Sequence, residues 1–234
     1  MTILLLDTSG PVAGAAVVRD GKLIGETNCE SGRRHSTQAM LIVDSLLGFL
    51  GVALSHIDVF AAIAGPGSFT GIRIGVAAVA ALAEAQGKPC FSLSATEALA
   101  AGAGSFDGLV CPLIDARPPR VYTALFRPGF PPERVTPDSQ TTIDALLTEL
   151  LARGERVLFA GDAVPVHAER IRATLSDQAV FAPPHLCTLR SGAACVLAYE
   201  KIRRGAELLD PAALRAIYLA PSQAEREEKE RQTH

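Results

Sequence analysis

The sequence predicts an α/β protein of two lobes that share one plan. Three observations carry this expectation. The chain opens with three strand-like segments before any helix, an unusual start for an α/β protein. From there strand and helix patterns alternate. After a glycine-rich stretch, residues 102–108, the opening pattern returns: an apolar strand ending in an aspartate, a turn and a second strand, at Asp115 as at Asp7.

Taken in order, residues 2–6 are an apolar run suited to a strand buried on both faces, and Asp7-Thr8-Ser9-Gly10-Pro11 is dense in turn formers. Residues 13–18 form a second strand, and Asp20-Gly21 turns the chain into a third over 22–30. Ser36 or Thr37 can cap a helix running to about Phe49, with apolar positions Met40, Leu41, Val43, Leu46, Leu47 and Leu50 covering more than one stripe. Residues 57–64 read as a buried strand that ends in a loop holding Gly65, Gly67 and Gly71. A second helix over 71–86 is stopped by Gly87, with Pro89 beyond it. A short strand (90–93) and a short helix (95–101) lead to the linker.

After the linker come a strand over 109–115, a Pro118-Pro119 turn, a strand over 121–126 and a loop over 128–137. Helices over 143–153, 165–175 and 191–204 follow, with a strand at 157–160 before Gly161-Asp162. From Glu225 to Arg231 every residue is charged, in both signs, which reads as a solvated end. The expected division is residues 1–104 for the first lobe, 105–222 for the second with its last helix returning to the first, and 223–234 for a charged tail.

Composition limits the function. A net charge of −3 and a sequence pI near 6.0 supply no basic field for a phosphate backbone, which argues against nucleic-acid binding by the chain alone. Hydrophobic residues make up 48%, enough for a sizeable core. Between Gly51 and Ala100 only Asp58, Arg73, Glu84, Lys88 and Glu97 carry charge, so this region is either buried in its own core or covered by a partner. Its longest charge-free helical run, 74–83, falls short of the roughly 20 residues that span a bilayer, and no membrane association is expected. The five cysteines are odd in number, form no CxxC and follow no secretory leader, as for buried thiols in a reducing cytoplasm.

Few side chains combine into chemistry. The Gly65–Gly71 loop before a helix has the geometry of an anion site, yet it lacks the Gly-Lys-Ser/Thr of a P-loop and is one residue longer than a dinucleotide fingerprint. Its glycines alternatively allow tight turning, and Gly71, Gly75, Ala78 and Val79 give the helix a flat face that another helix can approach. Asp7 and Asp115, each ending a strand, either position a metal-bound water or satisfy hairpin backbone groups. No two of His35, His56, His167, His185 and His234 stand three or four apart, as a helical metal pair requires. Ser68 is not in a G-x-S-x-G elbow, Cys111 has no activating base nearby in sequence, and Arg33-Arg34-His35 reads as a solvated loop. No catalytic or metal-binding set assembles.

Leu4-Leu5-Leu6-Asp7-Thr8-Ser9, Arg34-His35-Ser36 and above all Gly65-Pro66-Gly67-Ser68-Phe69-Thr70-Gly71-Ile72-Arg73-Ile74-Gly75 resemble the TsaB (YeaZ) family. Ile114-Asp115-Ala116-Arg117 and Val121-Tyr122-Thr123-Ala124 resemble its second-lobe hairpin. The resemblance covers most of residues 1–125, and the rest by length and element order. It implies an actin-like fold of the Hsp70/sugar-kinase (ASKHA) type with a reduced C-terminal lobe, and a role in making threonylcarbamoyladenosine beside the tRNA anticodon. It further implies a non-catalytic partner of TsaD, which carries the metal and the transfer site, with TsaE as an ATPase that joins the complex. ATP and metal then belong to the partners, and tRNA is met only through the complex.

The catalytic sibling has a His-x-x-x-His pair on the matching helix, whereas here His35 is followed four residues later by Ala39. The family's partner contact lies on the two first-lobe helices. This places His35, Met40, Val43, Leu46, Leu47, Leu50, Gly71, Arg73, Gly75, Ala78, Val79 and Leu82 at the interface, and implies a homodimer for the isolated chain. No cofactor of its own is expected; Asp7, Ser68 and Thr70 are the candidates for any ligand contact. Alternatives are a kinase-like or metallopeptidase-like enzyme of the same fold, and a metabolite-binding module with no link to tRNA.

Overall fold

The structure, a computed structural model, describes residues 1–30 and 35–219. Its architecture follows from the opening strand. β1 (Thr2–Asp7) is buried along its whole length, and alternation divides its apolar run between two cores: Leu4 and Leu6 enter one, Ile3 and Leu5 the other. A strand apolar on both faces needs helices on both. β2 (Val12–Arg19) pairs antiparallel with β1, and β3 (Lys22–Glu30) with β2. β4 (Val59–Gly65) and β5 (Cys90–Ser94) add in parallel, giving the order β3-β2-β1-β4-β5. α1 (His35–Leu50) and α2 (Phe69–Gln86) cover the Leu4 face, and α3 (Ala95–Gly102) lies on the Ile3 face.

The second sheet repeats this plan. β6 (Leu109–Asp115) pairs antiparallel with β7 (Arg120–Thr123), and β7 with β10 (Ser139–Thr142). β11 (Val157–Ala160) and β12 (Ala179–Phe181) add in parallel to give β10-β7-β6-β11-β12. α4 (Ile143–Arg153) and α5 (Val164–Leu175) take the chain positions that α1 and α2 hold in the first lobe. The repeat read from Asp7 and Asp115 is therefore a repeat of topology. The last helix, α6 (Ser191–Arg203), packs on β1, β2 and β3 of the first sheet, where Cys195, Leu197 and Ala198 fill the Ile3 face. Beyond it the chain straps the first lobe: Leu209 and Cys90 exchange backbone hydrogen bonds of 2.8 Å, Leu214 is buried in the Leu4-side core, and Ile217 N donates to Ala64 O at 2.8 Å. This is the actin-like α/β fold that the resemblance implies.

Some elements differ from expectation. Residues 121–126 form two strands, β7 and β8 (Phe126–Arg127), which keep one register against β6. The break falls where Pro112, with no N–H to donate, would face Ala124. The expected loop at 128–137 holds β9 (Glu133–Arg134), paired with β8. The polar β10 and the three-residue β12 have no apolar signal long enough to read. α2 begins at Phe69 because Ser68 Oγ accepts the Gly71 N–H at 3.2 Å, and it ends where Gly87 adopts a left-handed φ of 60°. By length and composition α2 could cross a membrane, more than the 74–83 run suggests. Its stripe of Ile72, Val76, Val79 and Ala83 is instead buried in the first lobe. Arg33, Arg34 and the charged tail lie outside the described residues, as do the side chains of His35, Ser36 and Thr37.

Leu46, only 4% exposed, projects from α1 into the Leu4-side core. Leu46→Ala is expected to lower stability by about 3 kcal/mol through the cavity left behind. Urea unfolding measures this, and an unchanged midpoint would mean that α1 does not pack as described.

Candidate functional site

Two features could carry function: the cleft between the lobes and the outer face of α1 and α2. At the cleft, Asp7 ends β1 and closes an Asx turn, accepting Ser9 N at 2.8 Å and Ser9 Oγ at 2.7 Å on one oxygen. The next residue ties the turn to α2: Thr8 Oγ1 donates to Gly71 O at 2.6 Å, and Ser9 O accepts Ser68 N at 2.7 Å. A Cβ at Gly71 would stand 2.0 Å from Thr8 O, and one at Gly75 would stand 2.5 Å from Thr8 Oγ1. The glycine-rich loop and the smooth face of α2 thus let a turn of this same chain approach.

The second lobe repeats the turn. Asp115 Oδ1 accepts Arg117 N at 2.7 Å, and Asp162, at the end of β11, accepts Asp115 N at 3.0 Å. Asp7 and Asp162 share a cleft with Val12, Leu99, Ile114 and Cys187, with about 30 Å³ of room. That volume admits water but is far below the few hundred Å³ of a small-molecule site. Asp162 was missed as a site residue in the sequence; its signal is its place after β11, matching the loop after β4 in the duplicated plan. Burial pushes the Asp7 carboxyl up to about 6 against the two Ser9 hydrogen bonds, and burial, with Asp115 nearby, also raises Asp162. No Lys, Arg or His lines this cleft among the described residues, so a phosphate there would meet two carboxylates and no cation. Among the described residues no three His, Cys, Asp or Glu side chains converge as metal ligands would. The Cys111 and Cys195 thiols, pushed up to about 12 by burial, are inert.

The helical face differs from expectation in its residues. Val43, Leu46, Leu47 and Val79, assigned to a partner interface, point into this lobe's own core and are covered by its sheet. Gly71 and Gly75 are likewise buried, against Thr8. Leu50, Ala78 and Leu82 are half-buried. What remains outside includes Met40 at 43% exposure, Leu41 at 63% and Phe49 at 89% on α1, with Asp44 and Ser45 between them, and Arg73, Ala77, Ala81 and Glu84 on α2. Of these, Leu41, Phe49, Ala77 and Ala81 were not picked out as interface residues in the sequence. Leu41 lies opposite the buried Ala39, Val43 and Leu46 of α1, and Ala77 and Ala81 lie on the side of α2 away from Ile72, Val76, Val79 and Ala83, sides that become visible once the sheet side is known. Arg73 is held in place: it stacks 3.9 Å over the Phe69 ring, and its Nε donates to the Tyr218 hydroxyl at 2.8 Å. Ser68 uses its hydroxyl as a helix cap, and Thr70 is exposed in the first turn of α2.

Comparison with known proteins places this geometry. The family model for TsaD, tRNA N6-adenosine threonylcarbamoyltransferase, matches residues 29–130, a span that includes α1, α2 and the glycine-rich loop. The tRNA threonylcarbamoyladenosine biosynthesis protein TsaB of Bacillus subtilis (strain 168) is 36% identical over 180 residues, covering 76% of this chain and 78% of its own length. The chain belongs to the TsaB family. Escherichia coli (strain K12) TsaB is 33% identical over 129 residues, 54% of this chain and 55% of that protein. A crystal structure of an uncharacterized Pseudomonas aeruginosa protein, described as similar to peptidase YeaZ, superimposes with a TM-score of 0.80 at 26% identity. The match covers 94% of this TsaB-family chain and 99% of the other.

Asp7 generates a pH test. Its folded value of about 6 lies above the ordinary 3.8, so the folded state holds the proton more tightly. Its contribution to stability is full below about pH 4 and falls away as the pH rises towards 6, a loss of about 3 kcal/mol. Asp7→Asn keeps the Ser9 contacts and is expected to flatten the melting temperature between pH 4 and 6 and to raise it at pH 7. Equal pH profiles for the two proteins would refute the assignment. Gly71→Ala, which forces a Cβ onto the Thr8 carbonyl, is expected to lose about 2 kcal/mol or more in the same assay.

Proposed function

We propose that this chain serves tRNA threonylcarbamoyladenosine biosynthesis as a non-catalytic subunit, binding and supporting a TsaD-like catalytic partner through the outer face of α1 and α2. The observation that carries this reading is Phe49. A phenylalanine exposed to 89% near the end of α1, on a helix that also exposes Met40 and Leu41 two turns earlier, is apolar area that a partner helix pair would take from water. Covering one such side chain contributes about 1.5–3 kcal/mol towards offsetting the freedom lost on association. Across a two-fold axis the same face would meet its own copy, and would so pair two chains when no partner is present.

The cleft fits a supporting role. Lined by two carboxylates and, among the described residues, no cation, it favours neither a nucleotide nor a transferred phosphate. The position four residues after His35 is Ala39, buried in the core at 2% exposure, where the catalytic sibling places its second metal ligand. Metal, ATP and the transfer chemistry then belong to the TsaD-like subunit and a TsaE-like ATPase, and tRNA is met through the assembled complex in the cytoplasm. Binding to this face supports the partner by favouring its active conformation.

Phe49→Asp is expected to weaken association with the TsaD-like subunit at least about tenfold while leaving the melting temperature unchanged, since Phe49 packs against little of its own lobe. Titration calorimetry of the purified pair decides it, and undiminished affinity would remove the face from the interface. A second reading, an enzyme of the same fold, draws on the protonatable Asp7 in the cleft. Calorimetry of the chain alone with ATP and a divalent metal separates the two, because a kinase-like enzyme binds the nucleotide unaided.

A further inference from the structure

One wall of the interlobe cleft is α3, through Ala95 and Leu99, and the first turn of that helix is held from the other lobe. Asp138, just before β10, accepts Ser94 Oγ at 2.7 Å and is also bonded by Thr96 Oγ1, while Arg134 Nη1 donates to it at 2.6 Å. Ser94 is the N-cap of α3: its oxygen accepts from Glu97 N, and its hydroxyl proton goes to Asp138. The second-lobe side of this contact is firmly anchored. Thr136 Oγ1 accepts Leu125 N at 2.8 Å, and the Arg134 guanidinium lies 4.6 Å over the ring of Phe126, which is wholly buried. Asp138 is itself only 18% exposed, so its charge-assisted bonds are partly shielded from water. On the other flank of α3, Lys201 of α6 grips both oxygens of Glu97 at 2.6 and 2.8 Å.

We propose that Asp138 is an interlobe clamp: by drawing the capped end of α3 onto the β9–β10 segment, it holds the cleft between Asp7 and Asp162 shut. Without the carboxylate, Ser94 and Thr96 lose their cross-lobe acceptor and Arg134 its counter-charge. The wall formed by Ala95 and Leu99, still packed on β6 and α6, then opens from Cys187 more readily. The clamp acts at the cleft and not at the outer face of α1 and α2, so it stands or falls independently of the partner reading.

Cys187 reports on the cleft directly, being half-buried in its lining. In a Cys29→Ser background, which removes the exposed thiol, Asp138→Ala is expected to speed alkylation of Cys187 by N-ethylmaleimide at least about tenfold. The fully buried Cys111 and Cys195 keep their wild-type rates. Thr96→Val removes one donor while keeping the shape, and should give a smaller rise confined to Cys187; it decides the matter alone if Asp138→Ala does not fold. An unchanged Cys187 rate overturns the proposal. So does a parallel rise at Cys111, Cys187 and Cys195, because the carboxylate would then support the whole fold and not the closure.

Discussion

The first lobe is organised by one close approach, that of the turn after β1 to the start of α2. Thr8 places its carbonyl where a side chain at position 71 would stand and its hydroxyl where one at position 75 would stand. Only glycine at both positions permits this, and the consequences spread outward. The smooth side of α2 is turned inward, so the helix presents Arg73, Ala77 and Ala81 to the outside. The turn is pulled deep enough to bury Asp7, which is why its carboxyl retains a proton well above the ordinary range. In the second lobe the corresponding turn at Asp115 is exposed, and burial falls instead on Asp162.

The cleft and the helical face therefore differ in kind. The cleft gathers negative charge and buried hydrogen bonds into a space of a few waters, and two lobes of common plan close over it with α6 of the second half seated on the sheet of the first. The outer face of α1 and α2 mixes exposed apolar side chains with Asp44, Arg73 and Glu84, and is carried on helices packed on the first sheet. Rigid support beneath exposed apolar side chains suits recognition of another protein, since little ordering is left to oppose association. The TsaD-type match over residues 29–130 includes these helices among its elements.

Much of the fold was legible in the residues. The run Ile3-Leu4-Leu5-Leu6, the Asp-Gly turn at 20–21 and Gly87 after a long apolar helix are local signals, and each produced the expected element. The repeat of strand, aspartate, turn and strand disclosed the duplication. Strands β9, β10 and β12 escaped because they are short or polar and exist through pairing with neighbours. Of the residues expected at a partner face, several are buried in this lobe's own core. Val43, Leu46, Leu47 and Val79 looked like interface because apolar side chains on a helix with a wide stripe are alike until one side is covered.

The sequence by itself determined the element order, the two-lobe repeat, the close-packing glycines and the family. Those depend on periodicity and on backbone conformations that particular residues permit or forbid, which act within a few residues. Only the tertiary structure decided which stripe of α1 meets the sheet, that Gly71 and Gly75 receive Thr8, and that Asp162 and Cys187 join Asp7 in one cleft. Each is a contact between segments far apart in the chain, set by what lies across from a side chain and not by its neighbours in sequence.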